Sequence, residues 1–194
     1  MTGPSLVLAS TSPYRAELLG RLGIPFEAVP PEVAEDQRPG ERPEEMVRRL
    51  AEAKARAVGR ARPDAVVIGS DQCADLDGTA LGKPGDFETA RRQLRSASGR
   101  AVTFRTALCV LGPDAGPAAV EVVPFTVTFR ELDEDRITRY LHRDRPYQCA
   151  GSIRAESLGP ALFERMDGED PTALLGLPLI RTVRRLEEAG VRVV

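Results

Sequence analysis

Histidine occurs once in these 194 residues, as His142, and tryptophan does not occur. A Ser-His-Asp hydrolase or a His-ligated metal centre would have to be built on that single imidazole. Its Arg-rich helical neighbourhood reads as a solvated helix face. Cysteine is nearly as scarce: Cys73, Cys109 and Cys149 are odd in number and contain no C-x-x-C pair, which argues against both a disulfide framework and a zinc site. Small buried hydrophobes in a reducing cytosol are the expectation. Apolar runs stay under about 12 residues, short of the roughly 20 that a membrane helix needs, so no membrane partner is expected. No basic-then-apolar leader precedes the first strand-like segment, and a cytoplasmic protein is expected. The net charge is −2 with the signs interspersed, which leaves no large basic face for nucleic acid.

Lysine is the most informative scarcity. Of 27 basic residues, only Lys54 and Lys83 are lysine. The chain uses arginine almost everywhere a surface positive charge is wanted. Where lysine survives, a compact ammonium can be required that a planar guanidinium does not replace.

At about 150 residues per domain the length allows one domain, residues 1–194, with two lobes around a cleft. The 42% of hydrophobic residues suffices for a core. Residues 5–10 read as a buried strand. Ser12-Pro13 then caps a helix that runs to Gly23. A short strand at 26–29 leads into a proline-rich loop over 30–43. The spacing predicts a helix over 43–61, with Met46, Val47, Leu50, Ala53, Ala57 and Val58 on its apolar face. A second buried strand over 65–70 ends in Asp71-Gln72, and Asp77-Gly78 signals a hairpin. A helix over 86–97, strands over 101–111 and 119–130 joined by a Gly-Pro turn, and a helix over 133–143 follow. Residues 148–166 read as irregular with a strand near 161–163, and Pro178 opens a last helix. Alternating strands and helices, then two long adjacent strands, imply an α/β fold with a mixed, bent β-sheet flanked by helices.

Four places carry candidate chemistry. Ser10-Thr-Ser-Pro-Tyr-Arg15 sits where a strand gives way to a helix N-terminus, which directs free N–H groups, hydroxyls and an arginine at an anion. Asp71 closes an apolar strand, where it can bind a hard cation or orient water. Lys83 lies in Gly82-Lys83-Pro84 past the hairpin, and Lys54 lies in the long helix.

Together these segments resemble the Maf family of nucleoside triphosphate pyrophosphatases. Leu6-Val-Leu-Ala-Ser-Thr-Ser-Pro-Tyr-Arg15 is similar to its opening motif. Ala53-Lys54-Ala55, Ile68-Gly-Ser-Asp-Gln72, Gly82-Lys-Pro84, Phe129-Arg130 and Gly176-Leu-Pro-Leu179 follow in the family order, so the likeness spans about residues 5–190. It implies an ITPase-like two-lobed fold, a nucleotide substrate, a divalent cation (Mg or Mn), and cleavage between the α and β phosphates; a homodimer is possible. It also implies that Asp71 accepts the proton and that Glu35 is its partner carboxylate, both near the metal. Ser10, Arg15, Lys54 and Lys83 would bind phosphate. Ala34 stands where the family often has an acidic residue before Glu35.

Tyr14, Gln72 and the Cys149-Ala-Gly-Ser152 segment leading to Glu156 resemble the branch that acts on 7-methyl-GTP. A methylated guanine carries positive charge, which an aromatic face attracts, and Glu156 can accept from the guanine edge. The alternatives are a dTTP/UTP or broad non-standard pyrophosphatase and, in a different class, a nucleotide-binding regulator of cell division.

Overall fold

The computed structural model describes residues 4–113 and 118–194. Among these, seven strands form one mixed sheet: β1 (Ser5–Ala9), β2 (Glu27–Val29), β3 (Ala65–Leu76), β4 (Thr79–Leu81), β5 (Ala101–Leu111), β6 (Ala119–Phe129) and β7 (Phe163–Gly168). The spatial order is β2-β1-β3-β5-β6-β7, with β4 added to β3. The β1–β2 and β1–β3 pairs are parallel and the others antiparallel. Five helices flank the sheet: α1 (Pro13–Gly20), α2 (Pro43–Gly59), α3 (Phe87–Ala97), α4 (Glu134–Asp144) and α5 (Leu179–Glu188). Single 3-10 turns at Ala150–Ser152, Gly159–Leu162 and Pro171–Leu175 punctuate the irregular stretch. No described helix is long and apolar enough to cross a membrane.

The expected elements are present, with three corrections. The strand expected to end in Asp71-Gln72 continues to Leu76, giving 12 residues that are almost all buried. Asp71 therefore sits in mid-strand. The last strand begins at Phe163, because residues 159–162 form a 3-10 turn. The buried stripe of α2 is Val47, Leu50, Ala51, Lys54, Ala55 and Val58, an i, i+3, i+4, i+7 series that places Lys54 inside the apolar face. Ala53 and Ala57 are only half-buried. The Gly-Pro turn expected over 112–118 lies largely outside the described residues.

Side chains alternate between the two faces of β3. Ala65, Val67 and Cys73 pack with α2 residues Val47, Ala51, Ala55 and Val58. Val66 and Ile68 pack on the opposite face with Leu18 and Leu19 of α1 and Leu186 of α5. A third cluster gathers Ala74, Leu76, Phe104 and residues of α3 and α4 at the far end of the sheet. By this alternation Asp71 faces α2, while Ser70 and Gln72 face the other way.

Gly69 sets the distance between α2 and β3. A Cβ there would lie 2.2 Å from the Ala51 carbonyl oxygen and 2.7 Å from the Ala55 nitrogen. The helix thus rests on bare backbone two residues before Asp71. Gly69→Ala must push α2 outward, since both obstacles are main chain. The expected result is a loss of about 3 kcal/mol, the upper end for overpacking, read from the denaturation midpoint at unchanged m-value. A variant as stable as wild type would show that the helix yields freely at this point.

Candidate active site

A break in the pairing of β3 opens the site. On one edge β1 pairs with it only as far as Gly69, and β4 begins only at Ala74. On the other edge β5 pairs without interruption from Val67 to Asp75. The chain leaving β1 turns through Ser10 to Arg15 at this gap. A cleft of about 1040 Å³ results, lined by Ser10, Tyr14, Arg15, Glu35, Lys54, Asp71, Gln72, Lys83 and Glu156. Every residue singled out from the sequence therefore reaches one cavity.

Lys54 is the centre of the charge arrangement. It is 4% exposed, and its Nζ lies 2.6 Å from both Asp71 Oδ1 and Glu35 Oε1. A buried ammonium with one partner would be expensive; this one has two. Burial alone would raise the Glu35 carboxyl pKa, but the hydrogen bond and charge of Lys54, with Lys83 and Arg15 behind them, hold it below the ordinary carboxylate range. The loop that carries Glu35 is tied to the helix that carries Lys54. Arg49 of α2 grips Glu41 through two contacts of 2.6 and 2.7 Å and donates to the Asp36 carbonyl. That hydrogen bond brings the Glu41 carboxyl down to about 2.

Arg15 is held differently. Its Nε donates to the Gly176 carbonyl at 2.9 Å, and Ser70 Oγ donates to the same oxygen at 3.1 Å. Gly176 has φ +107, a left-handed conformation in which a side chain is strained, and this turns its carbonyl into the site. Burial lowers the Arg15 pKa, and the charges of Asp71 and Glu35 oppose the fall. Ser10, 6% exposed, accepts from the Ser12 amide at 3.1 Å. Lys83 is exposed at the rim.

Gln72 has a structural engagement that the sequence did not announce. Its Nε2 lies 2.8 Å from the Ala173 carbonyl, 3.1 Å from that of Leu174, and 3.0 Å from Thr106 Oγ1. Thr106 Oγ1 itself donates to the Ala173 carbonyl at 2.8 Å. The amide nitrogen is thus committed to holding the Pro171–Leu175 turn against the sheet. Asp170, 1% exposed, braces that turn by accepting from Thr172 and from the Ile180 amide.

At the other end of the cleft, Tyr14 Oη stands 4.0 Å from Cys149 Sγ, and burial, then Cys149, raises the phenol pKa. Tyr14 and Glu156 also line a small side pocket with Glu17, Leu18, Arg21 and Leu175. Arg154 lies 3.6 Å from Glu156 and was not picked out from the sequence. Burial pushes the Cys73 and Cys109 thiols up to about 12, so both behave as small hydrophobes. Cys149 is only half-buried. His142 is exposed and lies beside the Phe87 ring at a centroid distance of 5.2 Å.

A divalent cation is compatible with the donors present. Glu35 and Asp71 line one cleft and each gives one oxygen to the Lys54 ammonium; a hard cation of the Mg type uses one or two carboxylates together with substrate phosphates and water.

The Maf-like protein family model matches residues 5–189. A 7-methyl-GTP pyrophosphatase of Nitrosococcus oceani is 56% identical over 187 residues, covering 96% of this chain and 94% of the relative. One from Pseudomonas aeruginosa is 54% identical over 190 residues, covering 98% and 99%. The Ham1 protein of Staphylococcus aureus, a solved structure, aligns with a TM-score of 0.49 at 16% identity, over 80% of this chain and 89% of its own.

The two lysines make a stability test. Lys54 is buried between α2 and β3 with its ammonium against two carboxylates, so Lys54→Arg should overpack this contact and cost about 1–3 kcal/mol. Lys83→Arg, at an exposed position, should stay within about 0.5 kcal/mol. Equal melting behaviour of the two variants would mean that space is not what keeps a lysine at 54.

Proposed function

Because the chain belongs to the Maf family, we propose that it is a nucleoside triphosphate pyrophosphatase whose preferred substrate is 7-methyl-GTP. The observation that carries this reading is the Glu35–Lys54–Asp71 arrangement at the open edge of β3, with Arg15 and Lys83 on the same cleft. Phosphoanhydride hydrolysis asks little covalent work of a protein; it needs an in-line water and neutralised phosphate charge. Lys54 occupies Oδ1 of Asp71, and no described residue hydrogen-bonds Oδ2. That oxygen accepts the proton of the attacking water. The bond between the α and β phosphates breaks, and its electron pair leaves with pyrophosphate. Arg15, Lys54 and Lys83 meet the phosphate oxygens, and the Ser10 hydroxyl donates beside them. Asp71 and Glu35 would hold the divalent cation, which when bound supplies further charge neutralisation at the phosphates.

Base preference follows from charge. The 7-methylguanine ring is cationic, and the Tyr14 face attracts it by about 0.5–2 kcal/mol. Glu156 accepts from the N1–H and N2–H₂ edge, which also rejects pyrimidines. A regulator that only bound nucleotides would need no base at Asp71, so the retained Asp71–Lys54 pair favours catalysis.

Pyrophosphate release from a panel of triphosphates tests the reading. We expect kcat/KM for 7-methyl-GTP to exceed that for GTP, dTTP and UTP by about tenfold, the result of two contributions of about 0.7 kcal/mol each that add to about 1.4 kcal/mol. If dTTP or UTP is hydrolysed best, the broader pyrophosphatase reading replaces this one.

Asp71→Asn keeps the shape and removes the basicity. Its kcat should fall by about 10²- to 10⁴-fold, as for loss of a general base, while nucleotide binding measured by calorimetry stays within a few-fold. A variant retaining more than about a tenth of wild-type kcat would remove Asp71 from that role.

A further inference from the structure

Arg154 stands between two carboxylates of unequal exposure. Its Nε lies 3.6 Å from Glu156 Oε1, at the cleft. Its Nη1 lies 3.8 Å from Oδ1 of Asp144 and 3.4 Å from the Asp144 carbonyl oxygen. Asp144, the last residue of α4, is 5% exposed. None of these contacts has the length of a good charge-assisted hydrogen bond. Two buried atoms of the group have no partner among the described residues: Asp144 Oδ2 and Arg154 Nε. One is an acceptor and the other a donor, and buried polar groups of either kind are nearly always paired.

The backbone around them is fixed. The Arg154 amide donates to Tyr140 Oη at 3.0 Å, and Ser157 Oγ donates to Asp144 Oδ1 at 2.6 Å. The Arg154 carbonyl accepts from the amides of Ser157 and Gly159. The freedom left in the cluster is that of the Arg154 side chain, one-third exposed. Turned onto Asp144, its guanidinium satisfies Oδ2 and leaves Glu156 a bare carboxylate. Turned onto Glu156, it cancels that charge and leaves Asp144 buried without a counter-charge, held by the Ser157 hydroxyl.

We propose that Arg154 and Asp144 are positioning residues that set the charge Glu156 presents to the base. With a cationic ring in the cleft, Glu156 pairs with the ring and Arg154 closes onto Asp144. With neutral guanine there is no such exchange, and Arg154 stays shared between the two carboxylates. Discrimination between two guanines that differ by one methyl group and one charge then depends on two residues behind the one that meets the base. This rests on the assignment of Glu156 as the base acceptor.

The test is a double-mutant cycle read as the ratio of kcat/KM for 7-methyl-GTP to that for GTP. Asp144→Asn leaves Arg154 with Glu156 alone, so the ratio should fall about fivefold, the size of one partly exposed charge pair. Arg154→Gln frees Glu156, and the ratio should rise or hold. In the Arg154→Gln background, Asp144→Asn should no longer change it. A merely structural Asp144 would lower both substrates together in both backgrounds and leave the ratio constant, which overturns the proposal. If Asp144→Asn does not fold, Arg154→Gln decides alone, and a ratio below wild type overturns it. Glu156→Gln separates the two layers. If it lowers the ratio and Asp144→Asn does not, only this proposal falls. If it leaves the ratio unchanged, the Glu156 assignment falls and the proposal with it.

Discussion

A buried ammonium needs counter-charge, and the site is organised around meeting that need for Lys54. Its side chain lies in the apolar stripe of α2, among Ala51, Ala55 and Val58. A buried charge without a partner there would weigh against the helix packing. Asp71 and Glu35, both at 2.6 Å, supply that partner twice over. The converse holds as well: Asp71, 8% exposed in an otherwise apolar strand, has the lysine as its hydrogen-bond partner. Three local facts make this contact possible. Gly69 lets α2 lie on the strand, the alternation of β3 turns Asp71 towards that helix, and β1 ends before Asp71 and so leaves room for a ligand.

Arg15 follows a different rule. Its side-chain hydrogen bond goes to a main-chain carbonyl, which orients the guanidinium without cancelling its charge. An arginine paired with a carboxylate would already be half-neutralised before an anion arrived. The carbonyl is that of Gly176, presented by the turn that Asp170, Thr106 and Gln72 brace. Gly176, 161 positions away in sequence, thus aims a cation that sits in the first turn of α1. The motif Gly176-Leu-Pro-Leu179 supplies this frame: Leu177 is fully buried, and Gly176 turns the chain back to the cleft.

How much of this was readable beforehand depends on the range of each interaction. Strand and helix order, the Asp77-Gly78 hairpin and the cap at Ser12 are local, and the structure has them. The rarity of lysine pointed to Lys54 and Lys83, and both line the cleft. Burial of Lys54 was missed because periodicity treats charge as a mark of the wet face. Allowing position 54 to be apolar brings out the observed stripe directly. The polar pair Asp71-Gln72 reads as a strand end for the same reason, although Cys73, Ala74 and Leu76 beyond it are buried and continue the strand. Gln72 could not be read as a brace for the Pro171–Leu175 turn, since its partners approach only in the folded chain. Arg154 was passed over in a chain rich in arginine, where abundance hides the one that is partly buried.

The two ends of the cleft handle charge in opposite ways, and this gives the site its direction. At the phosphate end three cations, Arg15, Lys54 and Lys83, face two carboxylates, so an excess of positive charge awaits a polyanion. At the end proposed to take the base, Glu156 lines the cleft and shares one arginine with the buried Asp144 behind it, so the excess is negative. A nucleotide whose base is cationic matches both ends in one orientation only. Reversing it would place like charges together at each end, which costs more than either attraction gains when the groups are partly desolvated. Neutral-base triphosphates match the charge of the phosphate end alone. In the proposed reading, affinity for triphosphates in general would be set by the cations around Asp71, and selectivity for the base by how far Arg154 is drawn away from Glu156.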